Sequence, residues 1–471
     1  MTSWRNLKRL GAGFILAPIL AAPGSAQQRW QRTYGDTLDI YPYAIQQTTD
    51  GGYVVTGEGG PGDGDVYLLK IDSLGDTLWT RHYGGIGEEV GLSVQQTSDG
   101  GYIVAGRAQK IPAGDYDAWL IKTDANGDTL WTRYYGGPYD DAANSVRQTR
   151  DGGYIVAGTT DSFGPGHGLL LMKTDAMGET LWTRLYGGGQ FAIGYSVWPT
   201  SDSGYIVAGT SPAFAYLVKT DAAGDTLWTR VYSQTFTSSA FSVRQTEDGG
   251  YIVAGYAQLL GAPSFDVYLI RTDPQGDTMW TRTYGGAQND FAWSAQPTED
   301  GGYVIAGETY SFGAGHFDAW LIKTNAGGDT VWTRTFGGAE DDGARAVQQT
   351  TDGGYILAGS TYSFGGPDSK AWLIKTDSLG NTAPYGVSER QAPSAQTPPS
   401  LTLSANPSLF TRSTSLSYSL PGDPKSARLE IRDITGRLVR SFAIPHSALR
   451  TPHCLTWDGT GNNGQRLPAG C

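Results

Sequence analysis

The chain has 471 residues, 67 of them glycine, with 12% aromatic and only 17% charged side chains and a formal charge of −12. The aromatic content excludes a low-complexity disordered chain, and an acidic balance without a basic patch argues against nucleic acid as a partner. Glycine and aromatics in this proportion suit many short strands joined by tight turns, on a length that accommodates one large repeat array with an accessory domain.

In residues 1–26, Arg5, Lys8 and Arg9 precede an apolar run from Leu10 to about Ala22, and Gly24, Ser25 and Ala26 follow. That order is a secretory signal, with cleavage expected after Ala26. The alternative is an uncleaved anchor, which the Gly and Pro interruptions and a run short for about 30 Å of hydrocarbon disfavour. After cleavage no transmembrane segment is expected.

From residue 27 to 386 the chain repeats itself. A segment of the type Trp280-Thr-Arg-Thr-Tyr-Gly-Gly286 recurs at Trp30, Trp79, Trp131, Trp182, Trp228 and Trp332, at intervals of 49, 52, 51, 46, 52 and 52 residues. Between successive tryptophans stands Asp-Gly-Gly-Tyr, at Asp50, Asp99, Asp151, Asp248, Asp300 and Asp352; the copy at Asp202 has Ser203 for its first glycine. A third element, of the type Ala118-Trp-Leu-Ile-Lys-Thr-Asp124, follows each time. Periods of this length mark a repeat architecture.

Each unit reads as four strands. Strand a (Ser93 to Thr97 in the second unit) enters the Asp-Gly-Gly hairpin, where glycine supplies positive φ. Strand b (Tyr102 to Gly106) is apolar on both faces, as a strand covered on two sides must be. Strand c (Ala118 to Thr123) leads through the turn Asp124 to Asp128 into strand d (Thr129 to Tyr135), whose alternation puts Trp131, Arg133 and Tyr135 on one face. The ends of the array are complementary. A strand-d motif, Trp30 to Gly35, precedes any strand a, while the last unit has Thr382-Ala-Pro-Tyr-Gly386 where its tryptophan strand belongs, and proline is a poor strand residue. The expectation is all-β: a seven-bladed β-propeller closed by its N-terminal strand, with the tryptophans as core between blades.

The stretch Lys122-Thr-Asp-Ala-Asn-Gly-Asp-Thr-Leu-Trp131 resembles the repeat of quinoprotein-like propellers, in which a tryptophan docks each blade on its neighbour. That resemblance implies architecture rather than a cofactor.

Residues 387–400 are rich in Ser, Gln, Pro and Ala and read as a linker. Residues 401–471 alternate strand patterns and glycine turns, which suggests a small Ig-like sandwich. The motifs Asn406-Pro-Ser408, Leu416 to Pro421, Leu429 to Arg437, and Leu455-Thr-Trp-Asp-Gly459 with Leu467-Pro-Ala-Gly470 resemble the C-terminal sorting domains of type IX secretion and the related domain of flagellar hook-capping proteins. The resemblance implies delivery to the outside of a Gram-negative cell, secreted or held at its surface. Such domains continue with a last aromatic strand, so this one is expected to be truncated at Cys471. The two cysteines, Cys454 and Cys471, either pair in an oxidising compartment or remain free thiols.

The d-to-a and b-to-c connections share one face of such a ring, and their variability makes that face the expected binding surface. Acids cluster there: Asp36 and Asp39; Glu88 and Glu89; Asp140 and Asp141; Asp290; Glu340, Asp341 and Asp342. A Ser-Phe-Gly pattern adds Phe163, Phe312 and Phe364, with Tyr310 and Tyr362 close by. Clustered oxygens suit calcium and aromatic platforms suit sugars, but the same acids also suit loop-tip solvation and turn capping. No EF-hand spacing is present. His167 and His316 lie three blades apart and cannot share a metal, so no cofactor and no catalytic residue is assigned. The expected function is a monomeric, non-catalytic scaffold binding a protein or glycan. The alternatives are a glycan-active or quinoprotein-like enzyme with its site at the ring centre, and a structural component of a surface layer.

Overall fold

A computed structural model describes residues 27–385, apart from 36–38, 61–63, 111–113, 165, 188–190 and 234, together with the backbone of five strands between 402 and 457. The expected signal segment, the linker, Asp36 and Cys471 lie outside the described residues. The chain divides into two compact units that part between Glu389 and Arg390.

Among the described residues of the first unit there are seven four-stranded antiparallel sheets. Blade 1 consists of Ile40–Gln47, Tyr53–Gly59, Val66–Ile71 and Thr77–Tyr83, strands a to d in order. Blades 2 to 6 repeat that order. Blade 7 takes strands a to c from Asp342–Gln349, Tyr355–Thr361 and Lys370–Thr376, and its strand d is Trp30–Tyr34. The register runs antiparallel from Trp30 opposite Lys375 to Tyr34 opposite Ala371. Residues 382–385 lie beside this strand: Gln31 Nε2 donates to the Ala383 carbonyl at 2.8 Å, and Thr33 Oγ1 shares a hydrogen bond with Tyr385 at 2.8 Å. The strand-a elements neighbour one another around the complete circle and form its inner wall. No helix of the described residues is long and apolar enough to cross a membrane.

Strand b is buried along nearly its whole length because a blade covers each of its faces. Strand d binds each blade to the next. Its tryptophan meets the first tyrosine of the following strand b edge-on or tilted, with ring centres 5.8–6.2 Å apart in all seven seams. In six blades the arginine two residues later lies over the same indole. Strand d is outermost, so only Trp30 and Trp131 are buried outright, and the other five tryptophans are half-buried. Six of the seven indoles require a glycine opposite them: a Cβ on Gly127, at φ +81°, would lie 2.9 Å from the Trp79 ring.

The hairpin acid does more than shape its turn. Asp99 Oδ1 accepts from Thr97 Oγ1 at 2.5 Å, from the Gly101 N–H at 3.0 Å and from Lys122 Nζ at 3.1 Å. Lys122 is buried, and its ammonium also donates to the Thr123 carbonyl at 2.8 Å. The same pairing recurs in every blade, with Arg271 as the cation in blade 5. A buried charge needs such a partner. The exceptional copy tests the turn itself. Ser203 sits at φ +70°, where its six counterparts are glycines at +79° to +86°. Ser203→Gly is therefore expected to stabilise the protein by about 1 kcal/mol, read as a higher urea midpoint with an unchanged m-value.

In the second unit the described strands are Thr402–Asn406, Thr414–Ser419, Ala427–Arg432, Leu438–Ile444 and His453–Trp457. The first, second and fifth form one antiparallel sheet, and the third and fourth pair separately.

Candidate binding face and central channel

The acids of the variable face separate into two groups. Glu89, Asp141, Asp290 and Asp342 open their strands a and are buried. Each accepts from the second glycine of the preceding Tyr-Gly-Gly or Phe-Gly-Gly: the N–H groups of Gly85, Gly137, Gly286 and Gly338 donate at 3.1, 3.0, 2.9 and 2.7 Å. The serine of Ser-Phe-Gly completes the device, since Ser162, Ser311 and Ser363 Oγ donate to Asp141, Asp290 and Asp342 at 2.6–2.7 Å. The two patterns read separately in the sequence are thus one loop-closing network, and these four acids hold turns instead of presenting charge to solvent. Burial raises the Glu89 carboxyl above its ordinary range. Across the seams, burial raises Asp266 and Asp318 as well, and the neighbouring Asp290 and Asp342 add to it.

The second group reaches the surface. Asp140 and Glu340 are exposed, and Asp341 is half-buried with His316 Nδ1 at 3.4 Å. Asp39 is exposed and accepts from the Ser369 N–H at 2.6 Å. Glu88 is held by Arg107 at 2.9 Å and by the Tyr116 hydroxyl at 3.0 Å. Of the aromatics, Phe163 and Phe312 are exposed, whereas Phe364 stacks on Tyr385 with ring centres 4.6 Å apart and helps seat the closing segment. Among the described residues no group of three or more His, Cys, Asp or Glu side chains is placed to hold a metal ion.

The loop face also carries apolar side chains that the repeat pattern did not single out. Ile86, Tyr139, Phe191 and Phe236 stand exposed on four successive d-to-a connections, and Leu260 and Tyr362 on b-to-c loops. With Phe163 and Phe312 they form a crown to which every blade or its adjoining connection contributes. The largest exposures are 85% at Leu260 and 81% at Ile86. Single exposed apolar side chains are ordinary, but eight gathered on one face mark a candidate contact surface.

The inner wall is the other feature. Each strand a has a β-bulge after its second, third or fourth ladder residue, as between Gly194 and Ser196, Ala143 and Ser145, or Ala240 and Ser242, and bulges re-aim side chains. The bulged residue varies around the ring, only tyrosine occurring twice: Tyr43, Leu92, Asn144, Tyr195, Phe241, Trp293 and Arg345. Tyr195, Phe241 and Trp293 form an aromatic arc, with successive ring centres 4.5 and 4.7 Å apart. Arg345 lies 4.1 Å from the Trp293 ring and pairs with Glu308 at 3.1 Å. Tyr43 is within electrostatic reach of Glu58, Arg345, Arg107 and Glu88. Burial raises Glu308 against the pull of Arg345. Burial also raises Glu58, with Glu88 adding and Arg107 opposing.

Three residues further along each strand a, a second belt consists of Gln46, Gln95, Arg147, Trp198, Arg244, Gln296 and Gln348. All seven line one cavity of about 100 Å³, so every blade contributes and the cavity sits on the ring axis.

Residues 404–471 match the FlgD Ig-like domain, and the C-terminal unit is an Ig-like β-sandwich. No curated protein matches the chain. Among solved structures, the WD40 domain of Neurospora crassa Pan2 is similar at 10% identity over 76% of this chain and 96% of that one, with a TM-score of 0.48. A protein of unknown function from Dyadobacter fermentans is similar at 12% identity over 76% and 100%, with a TM-score of 0.43. Extracellular domains 1–2 of Drosophila Semaphorin 1b are similar at 8% identity over 74% and 87%, also at 0.43.

Proposed function

We propose that this protein is an exported, non-catalytic binding scaffold whose propeller holds a protein or glycan partner on its variable-loop face. One observation carries the reading: the crown of exposed Ile, Leu, Phe and Tyr side chains, interspersed with Asp140, Glu340 and Glu88. Aromatic rings provide apolar area and stack on sugar faces, and carboxylates at the rim bind sugar hydroxyls or a basic partner. Export rests on the basic-then-apolar pattern of residues 1–26. Delivery to the cell surface by type IX secretion rests on the resemblance of the C-terminal motifs to sorting domains, and the Ig-like match at 404–471 is compatible with it.

The test is a glycan array with and without calcium, run beside a photo-crosslinker at Tyr139 in protein expressed by its own cells. A triple variant, Tyr139→Ser, Phe163→Ser and Phe312→Ser, is expected to keep the wild-type melting midpoint, because all three side chains are exposed, and to lose at least about tenfold in affinity for whatever the wild type retains. Unchanged retention by the triple variant, or no ligand in either format, would defeat the reading.

An enzyme acting at the axis is the second reading, favoured by the raised carboxyls of Glu58 and Glu308 beside Arg107 and Arg345. The two separate on one measurement. A scaffold returns its bound glycan intact, whereas an enzyme turns it over, and Glu58→Gln or Glu308→Gln would stop the turnover.

A further inference from the structure

Two belt residues on the ring axis are cations without a carboxylate. We infer that the axial cavity is a binding site for a compact oxyanion, a carboxylate, sulfate or phosphate group, held by the Arg147 and Arg244 guanidinium groups on either side of Trp198. This goes beyond the crown: the belt lies toward the Asp-Gly-Gly end of the inner strands, so the two sites stand or fall separately.

The belt explains why arginine is present in blades 3 and 5 alone. In blades 1, 2 and 7 the belt residue is a glutamine that braces the next blade. Gln46, Gln95 and Gln348 Oε1 each accept, at 2.6 Å, from the N–H of the residue one place further on in the following strand a: Gln96, Gln148 and Gln47. After blades 3 and 5 that following residue is Pro199 and Pro297. Proline has no N–H to donate, so an acceptor has no task at these two seams. Both positions carry a long cation instead.

Neither cation is neutralised. Arg147 Nη1 donates to the Val146 carbonyl at 2.7 Å and weakly to Ser93 Oγ at 3.4 Å, and Arg244 Nη1 donates to the Val243 carbonyl at 2.7 Å. A guanidinium has five N–H donors, so most remain for a ligand. The Trp198 ring is 5.3 Å from the Arg147 guanidinium and 4.3 Å from that of Arg244, and the other lining side chains are neutral. Burial lowers Arg147 to about 10, and burial with the neighbouring Arg147 charge lowers Arg244 to about 9. No carboxylate offsets either shift, although the chain as a whole carries −12. An oxyanion between the forks would supply the missing charge and accept the unused donors. About 100 Å³ is room for about three waters, the scale of a carboxylate or a tetrahedral oxyanion.

The test is calorimetric and thermal titration of the full chain with sulfate, phosphate and glucuronate at constant ionic strength, against Arg147→Gln with Arg244→Gln. The double variant installs the glutamine that four other blades carry at this position. Wild type is expected to melt about 3 °C higher at a ligand concentration a hundred times the dissociation constant. The double variant is expected to bind at least about tenfold more weakly, and to melt no lower than wild type without the anion, since two facing cations have been removed. Tighter binding of glucuronate than of the inorganic ions assigns the oxyanion to an acidic sugar, and the reverse order assigns it to a free ion. Equal responses in the two proteins, or no heat with any probe, would overturn the site. If the double variant does not fold, Arg244→Lys keeps the charge and removes the planar fork. A several-fold weakening there supports the site, and unchanged affinity overturns it.

Discussion

Deleting residues 27–35 should cost the propeller at least about 5 kcal/mol and lower its thermal midpoint by more than any single substitution in the ring. The deletion removes the outer strand of blade 7, and with it Trp30, 2% exposed, and buried Tyr34. Trp30 packs against Tyr53 of blade 1, so the loss opens both a blade and the seam beside it. The strand Lys370–Thr376 would be left as an unpaired edge, a template for association with other chains. Trp30→Ala isolates the packing contribution. A buried tryptophan truncated to alanine costs about 3–5 kcal/mol, which for a unit of this size lowers the midpoint by about 4–7 °C. Differential scanning calorimetry and size-exclusion chromatography read both effects. A truncated protein that melts with the wild type and elutes as one sharp peak would rule out closure by this strand.

Asp352→Ala is expected to be the most damaging of the seven hairpin-acid substitutions, at about 3–5 kcal/mol. Its partner Lys375 has a side chain only 1% exposed, and the pair is separated by 2.9 Å. Removing one member of a buried pair leaves the other charge stranded. The other lysine-paired acids are 54–64% exposed and water can approach the orphaned ammonium, so Asp99→Ala should cost markedly less. Asp352 is only 16% exposed because the N-terminal segment lies on it: Gln27 Nε2 donates to its carbonyl at 3.0 Å. Ring closure and charge burial are therefore coupled at this residue.

The same acids govern the response to pH. Burial would raise the Asp352 carboxyl, but the hydrogen bonds from Thr350, Lys375 and the Gly354 N–H, with the Lys375 charge, outweigh it and hold the group below its ordinary range. All seven hairpin acids are lowered, Asp300 to about 2. A carboxyl lowered by folding contributes stability that is present above its unfolded value of about 3.9 and is lost as pH falls through the folded value. Urea midpoints should therefore decline steeply below about pH 4. The gap between wild type and Asp352→Ala should narrow over the same range as Asp352 protonates. A gap independent of pH would mean that Asp352 acts through packing alone.

The architecture was legible because the repeat carries its own alignment. Seven tryptophans at near-constant spacing, Asp-Gly-Gly at six of the seven first hairpins and an orphaned outer strand at the front identify blades and closure from sequence alone. The candidate site was legible only in part. Glu89, Asp141, Asp290 and Asp342 stood out as charges on a variable face, yet they lie buried beneath glycine N–H groups. Their spacing, four residues after the second glycine, was the available clue to a turn cap. The crown residues Ile86, Tyr139, Phe191 and Phe236 were passed over because the d-to-a connections that carry them share no apolar motif from one unit to the next. The first channel belt carried a signal as well, since a position that takes six residue types in seven copies of a repeated strand is free of the ring's common packing demands.

Local chemistry, then, determined the blades by itself. Positive-φ glycines, two-residue alternation and doubly covered apolar strands are properties of short segments, and seven copies of them leave little choice of partner. Only the tertiary structure decided which charges are paired and shielded and which are not, because that depends on residues in neighbouring strands, in adjacent blades or at opposite ends of the chain. Asp352 and Lys375 lie within one blade, yet it is the N-terminal Gln27 that shuts water away from them. Arg147 and Arg244 are about a hundred residues apart, and the packing of three successive inner strands is what sets both against Trp198 with no acid between them.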